Sequence, residues 1–227
     1  MKLLEVGQLK KDYREGKTWV HALRGVDLQI GEGEFVAIAG PSGSGKTTLL
    51  NVISGLDSVT EGQVRFDGDD VTTMTPRQLT HMRLTKIGFV FQVYNLIPVL
   101  TAQENVEFTM LLQGVPAAKR KALSLDILSR VGLAGYGHRR PPTMSGGQQQ
   151  RVAVARAIVT HPRLVLADEP TANLDSETGA KLLDVMKELN ETEKITFIFS
   201  THDPMVMDYS RRLIRVRDGR VDSDKTR

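Results

Sequence analysis

The sequence predicts an α/β fold built on a mostly parallel sheet, with an N-terminal antiparallel β element and an inserted α-helical subdomain. Short β-branched runs recur along the chain with helix-like segments between them, which is the pattern of parallel strands joined by crossover helices. Two of these runs, "FVAIAG" and "RLVLAD", are apolar on both faces, as buried strands of a parallel sheet are. With 227 residues the chain is long enough for one such domain, and we expect a single domain over residues 1–227.

The remaining elements follow from local patterns. The first thirty residues favour strands and are interrupted by "YREGKT", which predicts the antiparallel element. "KITFIFS" predicts a further buried strand, and "RRLIRVRDGRV" predicts an edge hairpin that turns at Asp218 and Gly219. From Leu100 onward the apolar spacing becomes helical, with Thr101 as N-cap and Glu104 as its capping-box partner. We expect the helical subdomain over about residues 95–160.

The amino-acid composition excludes some kinds of binding partner and some kinds of catalytic or metal site. The 30 basic and 27 acidic residues nearly balance, so no nucleic-acid partner is expected. The absence of cysteine excludes a disulfide framework, a thiolate metal site and a cysteine nucleophile. The most apolar runs have the length of strands, far below the roughly 18 to 20 residues that cross a bilayer. We therefore expect no direct membrane insertion, and any membrane role would depend on a partner.

The stretch "GPSGSGKT" matches the phosphate-loop pattern G-x-x-x-x-G-K-[ST] between a predicted strand and a predicted helix. Its glycines allow successive backbone N–H groups to point at phosphate oxygens, and the following helix presents the positive end of its dipole. Lys46 supplies a charge for the β- and γ-phosphates, and the Thr47 hydroxyl is a ligand for Mg²⁺. The candidate ATP-binding residues of this stretch are Gly40, Ser42, Gly43, Ser44, Gly45, Lys46, Thr47 and Thr48.

Two adjacent acids, Asp168 and Glu169, end the predicted strand "LVLAD". Successive side chains at the end of a strand point in different directions, so one acid can serve a metal while the other faces the γ-phosphate. We assign Asp168 to Mg²⁺ and Glu169 to the attacking water, as its general base or orienting group.

A second candidate anion site precedes the helix in "TMSGGQQQRVAVARAIV". Ser145 and two glycines open directly into this helix, whose first N–H groups can bind an anion. One nucleotide does not need two such sites from one subunit. The interpretation is that Ser145, Gly146, Gly147 and Gln148 reach the ATP bound to a second copy of the chain, in a head-to-tail homodimer.

Taken together, these motifs resemble those of the ATP-binding cassette (ABC) ATPases over almost the full chain and in the expected order. The Walker A loop is "GPSGSGKT", the signature is "MSGGQ" and the Walker B strand is "LVLADE". "GFVFQ" supplies the Q-loop glutamine Gln92, "ANLD" the D-loop and "STHD" the switch histidine His202. The resemblance implies a P-loop NTPase core of the RecA-like type and ATP hydrolysis with Mg²⁺.

The resemblance also implies roles for single residues. Tyr13 would stack on adenine, His202 would contact the γ-phosphate, and Asp175 would organise the dimer contact. Gln92 would bind near the nucleotide and the metal and couple them to the partner. The metal ligands implied are Thr47, Gln92 and Asp168, and the catalytic residues are Lys46, Glu169 and His202. Trp19, near Tyr13, is either a hydrophobic cover for adenine or an ordinary strand residue, and we favour the strand residue.

Two stretches, "FQVYNLIPVLTAQENV" and "ADEPTANLDSETG", resemble the lipoprotein-release and macrolide-efflux group of these ATPases. The implied partner is a separate membrane permease, and the implied location is the cytoplasmic face of the cell membrane, reached through that permease. Two alternatives stay open: an importer of the amino-acid type, and a non-transport cassette ATPase of DNA repair or translation.

Overall fold

The computed structural model describes residues 2–227, which form two compact units. The first unit contains the chain up to Arg83 together with Thr196–Arg227, and the second contains Leu84–Ile195. The strands in chain order are β1 (Lys2–Glu15), β2 (Thr18–Gly31), β3 (Phe35–Ala39), β4 (Glu61–Phe66), β5 (Asp69–Asp70), β6 (Ile87–Val90), β7 (Leu164–Asp168), β8 (Thr196–Thr201), β9 (Arg212–Arg217) and β10 (Arg220–Thr226). The helices are α1 (Lys46–Ile53), α2 (Pro76–Lys86), α3 (Ala102–Leu112), α4 (Ala117–Arg130), α5 (Gly146–Ile158), α6 (Ser176–Glu193) and α7 (Pro204–Tyr209).

The first unit contains an antiparallel sheet in the order β2-β1-β4-β5. β1 and β2 pair from Lys2 and Gly31 to Glu15 and Thr18, so they form one long hairpin that turns at Gly16. Leu4, Val6 and Leu9 of β1 are buried on one face of this hairpin. The predicted N-terminal antiparallel element is therefore confirmed.

A second group of strands in the same unit carries the parallel pairing. β3 pairs in parallel with both β8 and β9, and β9 turns back into β10 as an antiparallel hairpin. Every residue of β3 and β8 is buried, because both faces of these strands are covered. Phe35 packs against Phe197 and Phe199, with ring centroids 5.5 and 4.7 Å away. These contacts place the core around the strand that leads into the phosphate loop.

The second unit is mainly helical, with β6 and β7 paired in parallel. Helix α3 starts at the N-cap Thr101, whose hydroxyl accepts from the Glu104 N–H while Glu104 accepts from the Thr101 N–H, so the predicted capping box is confirmed. Asn105 is fully buried, and its side-chain amide donates to the carbonyls of Ile97, Leu100 and Thr101. This amide ties the loop that precedes α3 to the helix, since buried polar groups need partners.

The predicted strands and helices are present, and the helices at Ala102–Leu112 and Ala117–Arg130 lie where the spacing placed them. The boundary of a helical subdomain at about residues 95–160 stays a prediction. Within residues 2–227 we find no helix with the length and apolarity that a membrane crossing requires.

Candidate nucleotide site

The phosphate loop joins the buried strand β3 to helix α1. Gly43 and Gly45 have φ angles of 77° and 102°, a region that glycine enters without a Cβ clash. Gly45 is the N-cap of α1, and it has no side chain that could accept from the first N–H groups of the helix. Those N–H groups and the helix dipole favour an anion at this end.

Two side chains of the loop point inward. Lys46 is 7% exposed, and its Nζ donates to the carbonyls of Gly40 and Pro41 at 2.8 and 3.1 Å. Ser44 is 3% exposed, and its Oγ has no hydrogen-bond partner within residues 2–227. A buried hydroxyl without a partner is unusual in a folded protein, and a phosphate oxygen would satisfy it. The buried Ser44 hydroxyl therefore supports the binding of a polyphosphate at this loop, independently of the sequence motif.

A cavity of about 580 Å³ opens beside this loop within the first unit. Its walls come from Gly43, from Gly45 to Thr48, and from the β1–β2 hairpin, which contributes Tyr13 and Trp19. The volume lies within the range of small-molecule sites, about 300 to 1,000 Å³. The structure therefore brings the predicted adenine residue Tyr13 and the phosphate loop to one cavity.

For Trp19 the sequence favours an ordinary strand residue over a hydrophobic cover for adenine. It lies in β2, as an ordinary strand residue would, but it is 57% exposed and lines the cavity. This exposure fits the alternative, for which the nearness of Trp19 to Tyr13 in the sequence is the signal. A large aromatic side chain at that exposure is available to a ligand.

The two acids follow β7 in the second unit. Asp168 is the last residue of the strand, and both it and Glu169 are half-buried. Glu169 has a φ angle of 47°, which is uncommon for a residue with a side chain. This left-handed backbone turns the chain directly after the strand, so the two carboxylates leave it in different directions. In the same unit Gln92 is exposed, and its carbonyl accepts from the Asn173 side chain at 2.8 Å.

Ser145 is the N-cap of α5, as the sequence predicts. Its Oγ accepts from the Gln148 N–H, and the Gln148 side chain accepts from the Ser145 N–H, which completes a capping box. A Cβ added to Gly147 would lie 2.4 Å from the Thr178 methyl group, so this glycine allows close packing against α6. A second cavity of about 240 Å³ opens at this helix end. The Gln148 N–H already donates to Ser145 within the capping box. The predicted anion site therefore depends on the N–H groups of Gly146 and Gly147.

Asp175 and His202 occupy the ends of other elements. Asp175 is the N-cap of α6, where its carboxylate accepts from the Thr178 N–H and hydroxyl at 2.9 and 2.7 Å. These two bonds hold the pKa of Asp175 below its usual value. His202 follows β8 in the first unit and is exposed. Both side chains lie at the surface of their own unit, where a nucleotide or a second copy can reach them.

Comparison with known proteins decides the family. A model of the ABC transporter family matches residues 23–172, which is more than half of the chain. The chain belongs to the ABC transporter family. Members of this family hydrolyse ATP, as the sequence motifs predict for this chain.

Curated relatives support the same family along the whole cassette. The chain is 47% identical over 226 residues to an uncharacterized ABC transporter ATP-binding protein of Thermotoga maritima, and the match covers 100% of this chain and 96% of that protein. It is 46% identical to the macrolide export ATP-binding/permease protein MacB of Syntrophobacter fumaroxidans, with 99% of this chain and 32% of that protein covered. The cassette therefore spans about a third of the length of this MacB relative.

A solved structure extends the likeness to the fold. The ATP-binding cassette MJ0796 of Methanocaldococcus jannaschii, solved as a dimer in a post-hydrolysis state bound to ADP and Pi, matches with a TM-score of 0.92 and 42% identity. The match covers 99% of this chain and 98% of that one. The predicted α/β cassette fold, the ATPase and the resemblance to the MacB-like group are thereby confirmed. The roles of individual site residues stay predictions.

Gly40 offers a direct test of the phosphate loop. A Cβ at this position would lie 2.1 Å from the Val216 carbonyl oxygen and 2.7 Å from Ser44 Oγ, so a backbone atom must move. We expect Gly40→Ala to destabilise the cassette by about 1–3 kcal/mol, as overpacking does, and to weaken ATP binding. Thermal unfolding and isothermal titration with Mg-ATP measure both effects.

The matched control is Gly7→Ala, because a Cβ at Gly7 meets nothing within 4 Å. This variant should unfold and bind ATP as the parent does. Parental stability and affinity in Gly40→Ala would contradict the close approach of β9 to the loop.

Proposed function

We propose that this cassette is the ATP-hydrolysing subunit of a membrane exporter, in which two copies close over two Mg-ATP and pass that movement to a permease. The observation that carries the proposal is the phosphate loop, whose buried Ser44 hydroxyl has no hydrogen-bond partner in the described part of the chain and which borders a cavity of about 580 Å³. The dimeric state of the MJ0796 cassette, which is bound to ADP and Pi, supports both the nucleotide and the homodimer.

Binding of the triphosphate follows from the loop. The N–H groups at the start of α1 and the Lys46 ammonium would hold the β- and γ-phosphates, and Ser44 would donate its hydroxyl to one of them. Lys46 would exchange the carbonyls of Gly40 and Pro41 for phosphate oxygens, which are the stronger acceptors because they are charged. Tyr13 would stack on the base at the other end of the cavity.

Mg²⁺ is part of the proposal, with Thr47, Gln92 and Asp168 as its protein ligands. No group of three or more His, Asp or Glu side chains that could hold a metal occurs in residues 2–227. The donor set nevertheless fits this ion, since Mg²⁺ is usually held by one or two carboxylates together with phosphate oxygens and water. When bound, it would offset the charge of the phosphates.

Hydrolysis would depend on positioned side chains. Glu169 would orient the attacking water and take its proton, and His202 would contact the γ-phosphate and keep the water in line. Ser145 and the N–H groups of Gly146 and Gly147 from the second copy would stabilise the charge on the same phosphate. Asp175 would support that contact between copies, since its helix cap fixes the loop before α6.

Export is favoured over import by the named relatives. MacB of Syntrophobacter fumaroxidans is a macrolide exporter, and PvdT of Pseudomonas fluorescens, 43% identical to this chain, is a pyoverdine exporter. Both relatives are named as combined ATP-binding/permease proteins. Here the permease would be a separate protein, and the cassette would lie at the cytoplasmic face of the membrane through it.

We place the permease contact on the segment after Gln92. Val93 and Val99, six residues apart in this segment, are 71% and 72% exposed. Exposed apolar side chains of this kind mark protein interaction sites when they recur in one region. The segment begins at Gln92, the residue assigned to couple nucleotide state to the partner.

Co-purification tests the function. Tagged Glu169→Gln cassette is isolated from detergent-solubilised cells with Mg-ATP, and the proteins that elute with it are identified by mass spectrometry. We expect a permease with few membrane spans and a large extracytoplasmic domain. The same protein should be lost when Val93→Ser and Val99→Ser are added, while the cassette dimer persists.

Other outcomes would change the assignment. A many-span permease with a substrate-binding protein would replace export by import. DNA-repair or ribosomal proteins without a permease would remove transport from the function.

A further inference from the structure

Tyr13 is held by a polar network that the sequence motifs do not include. Its hydroxyl donates to Asp57 Oδ2 at 2.6 Å, and Lys11 Nζ donates to Asp57 Oδ1 at 2.7 Å. Lys11 Nζ also donates to the Ser58 carbonyl at 2.8 Å and lies 4.9 Å from the centre of the Tyr13 ring. One carboxylate therefore holds the hydroxyl of the ring, and one ammonium contacts its face.

The network is anchored to the helix that starts at the phosphate loop. The N–H groups of Leu56 and Asp57 donate to the Asn51 carbonyl of α1 at 2.9 and 3.2 Å. The side chain of Thr48, in the first turn of α1, lies close enough to Tyr13 to lower the pKa of its hydroxyl. The ring and the phosphate loop are thus connected through both ends of one short helix.

Burial and charge favour the hydrogen bonds of this network. Lys11 is 6% exposed, so its ammonium depends on Asp57 and Ser58 for the bonds that water would otherwise supply. Burial acts to raise the pKa of Asp57, but the hydrogen bonds from Lys11 and Tyr13 outweigh it, and the pKa lies below its usual value. Burial, together with the bond to Asp57, raises the pKa of Tyr13. Asp57 is therefore ionised at neutral pH, and Tyr13 keeps the proton that it donates.

We propose that Lys11 and Asp57 are positioning residues that hold Tyr13 as a preformed platform for the nucleobase, at a fixed distance from the phosphate loop. The proposal rests on the proposed function, in which Tyr13 stacks on adenine. A ring that is already ordered loses little conformational freedom when the base binds, so the network contributes to ATP affinity without contacting ATP. Binding of a polyphosphate that has no base should not depend on it.

The experiment compares two ligands, Mg-ATP and magnesium tripolyphosphate, by isothermal titration. Fluorescence of Trp19, the one tryptophan of the chain and a wall of the same cavity, gives a second readout for ATP. We expect Asp57→Asn, Lys11→Met and Tyr13→Phe each to weaken ATP binding about 2- to 10-fold, the range for ordering one side chain, and to change tripolyphosphate binding less than twofold. In ATPase assays KM should rise while kcat at saturating ATP stays unchanged.

The matched control is Lys10→Met. Lys10 is the neighbour of Lys11 in β1 and pairs with Glu61 at 2.7 Å, but both of these side chains are largely exposed. This variant should bind both ligands as the parent does. Thermal unfolding of every variant shows whether the fold is kept, and Tyr13→Phe removes a single oxygen atom if Asp57→Asn fails to fold.

The outcomes separate this proposal from the function on which it rests. If Tyr13→Ala binds ATP as the parent does, then Tyr13 has no role in binding the base and the proposed role of this residue fails. If Tyr13→Ala weakens ATP binding but Tyr13→Phe and Asp57→Asn do not, only the positioning role fails. The positioning role also fails if Asp57→Asn weakens ATP binding further in a Tyr13→Ala background, because Asp57 would then act without the ring.

Discussion

Glu169→Gln is expected to slow ATP hydrolysis by about 10²- to 10⁴-fold, the contribution of a positioned general base, while ATP binding is kept. Glutamine has the length of glutamate but cannot take the proton of the attacking water. The backbone of Glu169 is left-handed, with φ 47°, and the substitution leaves that backbone without a new steric conflict. Binding should persist because the substitution leaves unchanged the groups assigned to the phosphates and the base, Ser44, Lys46 and Tyr13.

The Glu169→Gln variant should also accumulate as a dimer with Mg-ATP, since in the proposed cycle the dimer opens after hydrolysis. Phosphate release, titration with ATP and size-exclusion chromatography measure the three effects. Glu188→Gln is the matched control, because Glu188 is an exposed residue of α6 outside the site. Hydrolysis at the parental rate in Glu169→Gln would show that another group activates the water.

Lys46→Met is expected to weaken ATP binding by about 2–5 kcal/mol, the usual cost of removing one partner of a buried charge pair, or roughly 30- to several thousand-fold in Kd. Methionine keeps most of the length of the side chain but has no charge. The substitution also removes the two bonds from Lys46 Nζ to the carbonyls of Gly40 and Pro41. Some loss of stability should therefore accompany the loss of affinity.

The measurements for Lys46→Met are titration with Mg-ATP and thermal unfolding, with Lys187→Met on the exposed face of α6 as control. Combined with Glu169→Gln, Lys46→Met should prevent the dimer, because closure needs the nucleotide. Parental affinity in Lys46→Met would mean that the loop N–H groups bind the phosphates without the ammonium.

Local patterns predicted the elements of this protein well. The predicted capping box at Thr101 involves groups within three residues, so the sequence contains all the information that it needs. The capping box at Ser145 is equally local, although the sequence analysis predicts only the helix start there. The phosphate loop is equally local, because its glycine conformations and the helix start after it depend on neighbouring residues. Buried parallel strands are recognisable for a similar reason, since a strand covered on both faces must be apolar throughout.

These local patterns do not predict contacts between residues that are far apart in the sequence. The bond from Tyr13 to Asp57 joins positions 44 residues apart, and neither residue type is unusual where it stands. The tight space at Gly40 comes from Val216, on a strand near the other end of the chain. For Trp19 the sequence left two interpretations, and its exposure in the wall of a cavity comes from the fold.

By itself the sequence determined the α/β class, the cassette family, the phosphate loop and the two capped helices, because each depends on residues close together in the chain. Only the tertiary structure decided that the buried Ser44 hydroxyl has no hydrogen-bond partner among the residues described, 2–227, that Tyr13 is held by Lys11 and Asp57, and that Trp19 lines the same cavity as Tyr13. Burial and partnership depend on packing between distant segments, and periodicity within one segment does not specify which distant side chain will meet it.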